Sequence, residues 1–156
     1  MLNNFSAEAD IVVTPSDTAR HIALAPSDAF PEVFATSRMI ALMELAAARA
    51  MRPLLGEGQL SIGVSLNVKH TAATPIGSSV RAVATYLRTE NKLMHFRVEA
   101  FDESGSIGAG EHARAIIDAA RLVSGAERRR KTASGAEPAM NKSDSLLANF
   151  NFSQGH

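Results

Sequence analysis

The sequence predicts an α+β fold in which a curved antiparallel sheet wraps around one long central helix. Two observations predict it: a single strong helix signal at residues 39–51, and four later segments in which apolar and polar residues alternate. In such a layout the sheet and the helix bury each other's apolar surfaces. The 156 residues fit one domain. We expect this domain to occupy residues 1–123 and a flexible C-terminal tail to follow over residues 124–156.

A short strand at residues 11–14 is the first predicted element, and the turn that begins at Pro15 ends it. A loop with two further prolines leads from this turn to the helix. Thr36 or Ser37 is expected to be the N-cap of the helix, because both side chains can accept a hydrogen bond from a free backbone N–H.

The helix contains the run MIALMELAAARAM at residues 39–51, in which alanine and unbranched apolar residues favour helix. Pro53 disfavours helix at the residue before it, so the helix should end near residue 52. Apolar residues occupy nearly all sides of the helix, which predicts that it is buried.

Four strands are predicted after the helix, and tight turns join them. On the first, strict alternation would place Ile62, Val64 and His70 on the face towards the helix. One helix cannot cover a five-stranded sheet, and open sheet edges invite pairing, so we expect at least a homodimer. The four segments are residues 62–70, 79–88, 93–101 and 107–117.

The composition excludes several classes of partner and chemistry. Lys plus Arg and Asp plus Glu both number 16, and the resulting net charge of zero argues against nucleic acid. The chain has no cysteine, which excludes a thiolate nucleophile and a cysteine zinc site and fits a cytoplasmic location. No secretory signal and no apolar run of membrane-spanning length is found, so no membrane partner is expected. The basic run at residues 128–131 is either a solvated segment or a contact for an anionic partner.

Two titratable residues lie on apolar surfaces. Glu44 interrupts the apolar helix, where a carboxylate is costly unless it is paired or lies in a working cleft. The alternative is a wet edge of the helix, where Glu44 pairs with Arg49 or with solvent. His70 ends the alternating strand, and a lone histidine on an apolar face is often only a core residue. A carboxylate and an imidazole in one interior can tune each other's pKa towards neutral, which favours a functional pair.

Thr36 lies at the start of the helix. Its hydroxyl either caps backbone N–H groups or, with those N–H groups and the positive end of the helix dipole, holds a substrate carbonyl. Thr36 and Glu44 are eight residues apart, about 12 Å along a helix, which is too far for both to touch one small substrate. A two-fold homodimer with antiparallel helices would bring Thr36 of one subunit near Glu44 of the other, so we expect active sites shared between subunits.

Other patterns are less specific. His112 and Arg114 share one face of the last strand, where they either bind a substrate phosphate or lie on the surface. Gly108-Ala109-Gly110 lies within a strand, so it is not a dinucleotide-binding fingerprint. No cluster of metal ligands is visible in the sequence, and we expect neither a metal nor a cofactor.

Four parts of the chain form a set: residues 33–36, the helix that carries Glu44, residues 63–70 and residues 108–114. Together they resemble the fluoroacetyl-CoA thioesterase family of hotdog-fold proteins. The resemblance covers about residues 10–118. It implies a hotdog fold for the domain.

The family works with a threonine, a glutamate and a histidine, and the resemblance places these catalytic roles on Thr36, Glu44 and His70. Gly63 matches a glycine near the family's substrate pocket. Ser37 stands where the family often has proline, and it is a further candidate for substrate binding.

The resemblance implies an acyl-CoA thioesterase that acts on a small acyl group. Glu44 would activate water or attack the thioester carbonyl directly to give an anhydride. Thr36 would hold the carbonyl oxygen, and His70 would position the reacting groups and shuttle a proton. The alternative is a non-catalytic acyl-CoA binding or sensing module on the same fold. A lyase or hydratase would need a different arrangement of Asp and His, which we do not find.

Overall fold

The chain folds into five strands and two helices over residues 5–134, the part that the computed structural model describes. These elements are β1 (Ser6–Val12), α1 (Thr36–Met51), β2 (Gln59–His70), β3 (Ser79–Glu90), β4 (Leu93–Asp102), β5 (Gly105–Asp118) and α2 (Ala119–Ala133). The strands form one sheet in the order β1-β3-β4-β5-β2, with every neighbouring pair antiparallel. Helix α1 contacts all five strands, which confirms the predicted layout. Within the described range neither helix is both long enough and apolar enough to cross a membrane.

The main hydrophobic core lies between α1 and the face of the sheet that it covers. Met39 and Met43 on the helix and Phe96 on β4 are completely buried there. Burying each of these large side chains contributes about 1.5–3 kcal/mol. The packing therefore fixes α1 on the sheet and with it the two candidate site residues that the helix carries, Thr36 and Glu44.

One flank of α1 is not covered by the sheet. Leu45 is 42% exposed on this flank, and Ala41 is exposed one turn before it. The prediction of a buried helix therefore holds for the face towards the sheet and is wrong for this flank.

The first strand is longer than predicted. It covers Ser6–Val12 rather than residues 11–14, and it pairs with β3 along its whole length. Ala9 is buried under α1, whereas Glu8 and Asp10 are exposed. Alanine, aspartate and glutamate are poor strand formers, so pairing with β3 and not local preference makes this segment a strand.

The predicted N-cap of α1 is wrong. Ala35 is the N-cap and has no side-chain oxygen to offer, while Thr36 is the first helical residue and Ser37 follows it. The end of the helix is as predicted, because α1 stops at Met51 and a short 3₁₀ turn follows that contains Pro53.

A β-bulge in β2 changes which side chains face the helix. The register against β5 shifts between Gly63 and Ser65, so Val64 is the extra residue. Strict alternation is therefore wrong for two predicted residues, because Ile62 and Val64 pack into a second small cluster on the other face of the sheet. His70 does face the helix. The extra residue also puts Gly63 on the same face as His70, although the two are seven positions apart.

The predicted tail does not begin at residue 124, because α2 runs through that position to Ala133. Asp118 caps this helix by accepting a hydrogen bond from the backbone N–H of Arg121 at 2.9 Å. Leu122 packs against the second cluster, which anchors the first turn to the sheet. The alanines and arginines of the segment favour helix, but scattered Gly and Ser hide the pattern. Residues 135–156 of the predicted tail lie outside the described residues.

Removing residues 135–156 is expected to leave the melting temperature within about 2 °C, because every described element is retained. A chain that ends at Val123 keeps only the first five residues of α2. Five residues are too few to hold a helix, so this shorter chain is expected to melt several degrees lower. Thermal melts of both truncations decide the domain boundary, and equal melting temperatures would show that α2 is dispensable.

Candidate active site

Thr36 and His70 meet at the start of α1. The Oγ1 atom of Thr36 lies 2.8 Å from Nδ1 of His70. Thr36 is in the first turn of the helix and His70 is the last residue of β2, so the strand carries the histidine back to the helix start. At this distance the hydroxyl and the ring can exchange a proton. The structure therefore brings two of the three predicted catalytic residues together within one chain.

The ring of His70 is partly buried and edge-on to Phe34, with the ring centroids 6.5 Å apart. Among the described residues its Nε2 atom is buried and has no hydrogen-bond partner. Burial lowers the pKa of His70 below its ordinary value of 6.5, and the nearby backbone of Ala72 opposes this shift. The ring is therefore neutral near neutral pH, and its Nδ1 accepts from the Thr36 hydroxyl in one tautomer and donates to it in the other.

Glu44 lies in the middle of α1 and faces Gly63 of β2. A Cβ atom on Gly63 would collide with Oε1 of Glu44 and would stand 3.1 Å from Cε1 of His112. Only glycine leaves this space open. The side chain of Glu44 is 44% exposed, so solvent and small molecules can reach its carboxylate. The alternative pairing with Arg49 is wrong, because that guanidinium instead donates to a backbone carbonyl of β1 at 3.0 Å.

Two buried polar residues lie on one side of the carboxylate of Glu44. Nη1 of Arg114 lies 3.8 Å from its Oε1 and 3.2 Å from Nε2 of His112. Arg114 also donates from Nε to the hydroxyl of Ser61 at 3.1 Å and from Nη2 to the carbonyl of the same residue at 2.9 Å. His112 donates from Nδ1 to the carbonyl of Ser65 at 2.9 Å. These bonds hold a cation at a fixed position beside Glu44.

His112 is neutral in this network. The carbonyl of Ser65 can only accept, so Nδ1 carries the proton and Nε2 accepts from Arg114. Burial lowers the pKa of His112, the charge of Arg114 lowers it further, and the bond to Ser65 and the charge of Glu44 oppose this. Burial also lowers the pKa of Arg114, and Glu44 opposes that shift.

His112 and Arg114 do not lie on the surface, which was one of the two predictions for them. They are 1% and 6% exposed, and a nitrogen of each lies within 4 Å of Oε1 of Glu44. Their contact with a substrate phosphate stays a prediction, as does substrate binding by Ser37, which is exposed in the first turn of α1. The sequence analysis missed Ser61, because only the bulge in β2 shows that its side chain faces the helix.

The pair Thr36–His70 and the group around Glu44 are separate within one chain. Thr36 and Glu44 lie about 12 Å apart along the helix. His70 and Gly63 are separated by about 23 Å of extended strand. The structure therefore does not bring Glu44 and His70 together in one subunit. Both groups lie on the helix-facing side of β2, which is an edge strand of the sheet.

The glycines of the GxG pattern have a packing role. A Cβ on Gly108 would stand 2.7 Å from Sδ of Met39 and 2.6 Å from the carbonyl oxygen of Lys69. A Cβ on Gly110 would collide with the backbone of β2 at Asn67. These two glycines therefore allow α1 and β2 to approach β5 closely, and so help to place Glu44 and His70 on their elements.

Comparison with known proteins identifies one family and several relatives. The family model for FlK, a fluoroacetyl-CoA-specific thioesterase, matches residues 13–120. The chain is 44% identical over 128 residues to the fluoroacetyl-CoA thioesterase of Streptantibioticus cattleyicolor. This similarity covers 81% of the chain and 91% of that relative.

Solved structures show the same similarity. The structure of the fluoroacetyl-CoA thioesterase FlK superposes with a TM-score of 0.76 at 41% identity, covering 85% of this chain and 98% of FlK. A Thermus thermophilus hypothetical protein of the thioesterase superfamily gives a TM-score of 0.75 at 34% identity, covering 86% and 96%. With the five-stranded sheet around α1, these matches confirm the predicted hotdog fold.

Proposed function

The chain belongs to the fluoroacetyl-CoA-specific thioesterase family, and on this basis we propose that it hydrolyses the thioester bond of acyl-CoA with a small acyl group. It is an acyl-CoA thioester hydrolase, as its relatives are, and not a non-catalytic binding module. One observation carries the proposal for the site: the half-exposed carboxylate of Glu44 faces Gly63, where no side chain fits. The open space beside this carboxylate suits the carbonyl carbon of a small acyl group.

Glu44 has two ways to cleave a thioester from this position. As a general base it takes a proton from water, the hydroxide bonds to the carbonyl carbon, and the carbon–sulfur bond then breaks. As a nucleophile it attacks the carbonyl carbon itself, expels the thiolate of CoA and leaves an anhydride that water hydrolyses. Arg114 supports both routes, because its positive charge lies 3.8 Å from Oε1 and attracts the carboxylate, and His112 helps to hold Arg114 in place.

Thr36 and His70 would act on the other atoms of the thioester. In the tautomer whose Nδ1 carries the proton, His70 donates to Oγ1 of Thr36, and the Thr36 hydroxyl is free to donate its one proton to the carbonyl oxygen as negative charge develops there. The neutral ring of His70 holds that hydroxyl in place at 2.8 Å and can pass a proton towards the departing CoA sulfur. These roles need Thr36 and Glu44 within a few ångströms of the same carbonyl, which a single chain does not provide.

A homodimer through β2 would complete the site. β2 is paired only on its β5 side, so twelve residues of strand edge are free for a second copy among the described residues. A two-fold axis at Asn67, with Val64 again the extra residue, would place Gly63 opposite the partner's His70 in an antiparallel pair. The bulge in β2 puts both on the helix-facing side, so Glu44 would lie near Thr36 of the partner subunit. The exposed flank of α1 at Leu45 supports such an interface.

The most direct test is a hydrolysis screen over a panel of acyl-CoA substrates from acetyl and fluoroacetyl to palmitoyl. A thiol reagent reports the CoA that is released, and the chain has no cysteine that would react with it. We expect turnover for acyl groups of about two to four carbons and a steep fall for longer chains, because each added methylene needs space in the pocket. Turnover of the long chains alone would contradict the small-substrate proposal. Tight acyl-CoA binding without any thiol release would favour the binding module.

The substitution Gly63→Ala is expected to lower turnover by about tenfold to a hundredfold, because the new methyl group pushes the Glu44 carboxylate out of line. The carboxylate is the free end of a side chain and can move, so the fold should survive. Gly56→Ala is the matched control, since its Cβ would meet only Gln59 in an exposed turn, at 3.3 Å. Wild-type turnover in Gly63→Ala would contradict the predicted collision between the new methyl group and the Glu44 carboxylate.

A further inference from the structure

A buried carboxylate lies against the first turn of α1. Asp17 is only 6% exposed, and both of its oxygens are fully used. Oδ2 accepts hydrogen bonds from the backbone N–H and the hydroxyl of Thr14, both at 2.9 Å. Oδ1 accepts from Nε and Nη2 of Arg38 at 3.1 Å and 2.8 Å. Asp17 therefore joins the turn after β1 to the helix.

The backbone around Asp17 is attached to the same part of the helix. The carbonyl of Asp17 accepts a hydrogen bond from the N–H of Ala35 at 2.9 Å, and the next residue, Thr18, forms an antiparallel bridge with Phe34. Ala35 precedes Thr36 directly, and Arg38 follows it by two residues. The contacts of Asp17 therefore hold the chain on both sides of Thr36.

The charges suit this place. A negative charge is favourable at a helix N-terminus, where a cation such as Arg38 would be unfavourable alone. Burial tends to raise the pKa of Asp17, but the hydrogen bonds from Thr14 and the bonds and charge of Arg38 outweigh it, so the pKa lies below its ordinary value of 3.8. Asp17 is therefore ionised at neutral pH.

We propose that Asp17 and Arg38 are positioning residues that set the hydroxyl of Thr36 against His70. The inference rests on the proposed function of Thr36 and adds to it. The N-cap Ala35 has no side-chain oxygen to anchor the helix start, so the first turn of α1 needs another anchor. The bonds between Asp17, Arg38 and the backbone of Ala35 supply it.

Asp17→Asn tests the inference, because asparagine still accepts from Thr14 but loses the charge that holds Arg38. We expect kcat to fall roughly tenfold with little change in KM, since the substitution displaces a catalytic group and no binding surface. The ring nitrogen signals of His70 in an NMR spectrum should shift as the bond from Thr36 weakens. Glu32→Gln is the matched control: it breaks an exposed ion pair with Arg20 at 3.2 Å and should change neither readout.

A double-mutant cycle separates positioning from a general loss of stability. In a Thr36→Val background, Asp17→Asn should lower the remaining turnover by less than about twofold, because the group that Asp17 positions is gone. A fall as large as in the wild-type background overturns the inference, and so do an unchanged kcat and an unchanged His70 signal in Asp17→Asn. If that variant does not fold, Arg38→Gln gives the same test from the exposed partner.

The test also separates this inference from the proposed function. If the wild-type protein hydrolyses no acyl-CoA, the proposed function fails, but the NMR signal of His70 in Asp17→Asn still shows whether Asp17 positions Thr36.

Discussion

Replacing Glu44 with glutamine is expected to lower the turnover of the preferred acyl-CoA by about 10²-fold or more. Glutamine keeps the size of the side chain and can still lie beside Arg114, but it can neither take a proton from water nor attack a carbonyl. KM should change little, because the shape of the site is kept. Steady-state kinetics on the best substrate from the panel measures both values.

The control for this substitution is Glu57→Gln. Glu57 is exposed in the turn before β2, so the same chemical change there removes a carboxylate without touching the site. Both variants should melt close to the wild-type protein, since a half-exposed carboxylate makes a small contribution to stability. Turnover in Glu44→Gln within threefold of the control would end the catalytic assignment of Glu44, whatever the fold.

The substitution His70→Ala is also expected to lower turnover by about 10²-fold, while the melting temperature falls by only a few degrees. The ring bonds the hydroxyl of Thr36 and lies edge-on to Phe34, but the residue is only partly buried, so its removal costs little packing. His95→Ala is the matched control, because His95 likewise makes a hydrogen bond, to Glu111 at 2.8 Å, but on β4 away from the site. A large loss of stability with a proportionate loss of activity would make His70 a core residue.

The pH profile tests the same residue. Burial holds the pKa of His70 below its ordinary value of 6.5. The neutral ring therefore persists as the pH falls through 6.5, and kcat/KM should decline only at a lower pH, where the protonated ring can no longer take up a proton. A decline that begins above pH 6.5 would contradict the neutral ring.

The fold could be predicted where the apolar residues of a segment recur with the spacing of a helix or a strand. The apolar run of α1 and the alternation in β3, β4 and β5 were sufficient for the helix and for three strands. Two other elements depend on distant contacts. Ser6–Val12 becomes a strand by pairing with β3, and α2 is anchored where Leu122 packs against the second cluster. The local residues of both segments are too mixed to show this.

The sequence predicted which residues belong to the candidate site, but not which of them lie together within one chain. Glu44 and His70 stand out in the sequence because each interrupts an apolar pattern. The contact between Thr36 and His70 joins residues 34 positions apart and depends on the curvature of the sheet. The position of Gly63 depends on a bulge that leaves the alternating pattern unchanged.

Asp17 illustrates a signal that was present and missed. Thr14 and Asp17 have the spacing of a capping box, in which each side chain bonds the other's backbone. The sequence analysis treated this segment as an ordinary turn. Its partner Arg38 lies 21 positions away, and no local pattern connects the two.

The central claim is that each active site combines Thr36 and His70 of one subunit with Glu44 of the other. Mixing the two strongly impaired variants Thr36→Val and Glu44→Gln tests it most directly. In each heterodimer one site would contain both intact residues, so up to about half of the wild-type activity per heterodimer should return. The double variant, mixed with either single variant, should restore none. If native mass spectrometry shows that subunits have exchanged and no activity returns, the site lies within one chain and the account is contradicted.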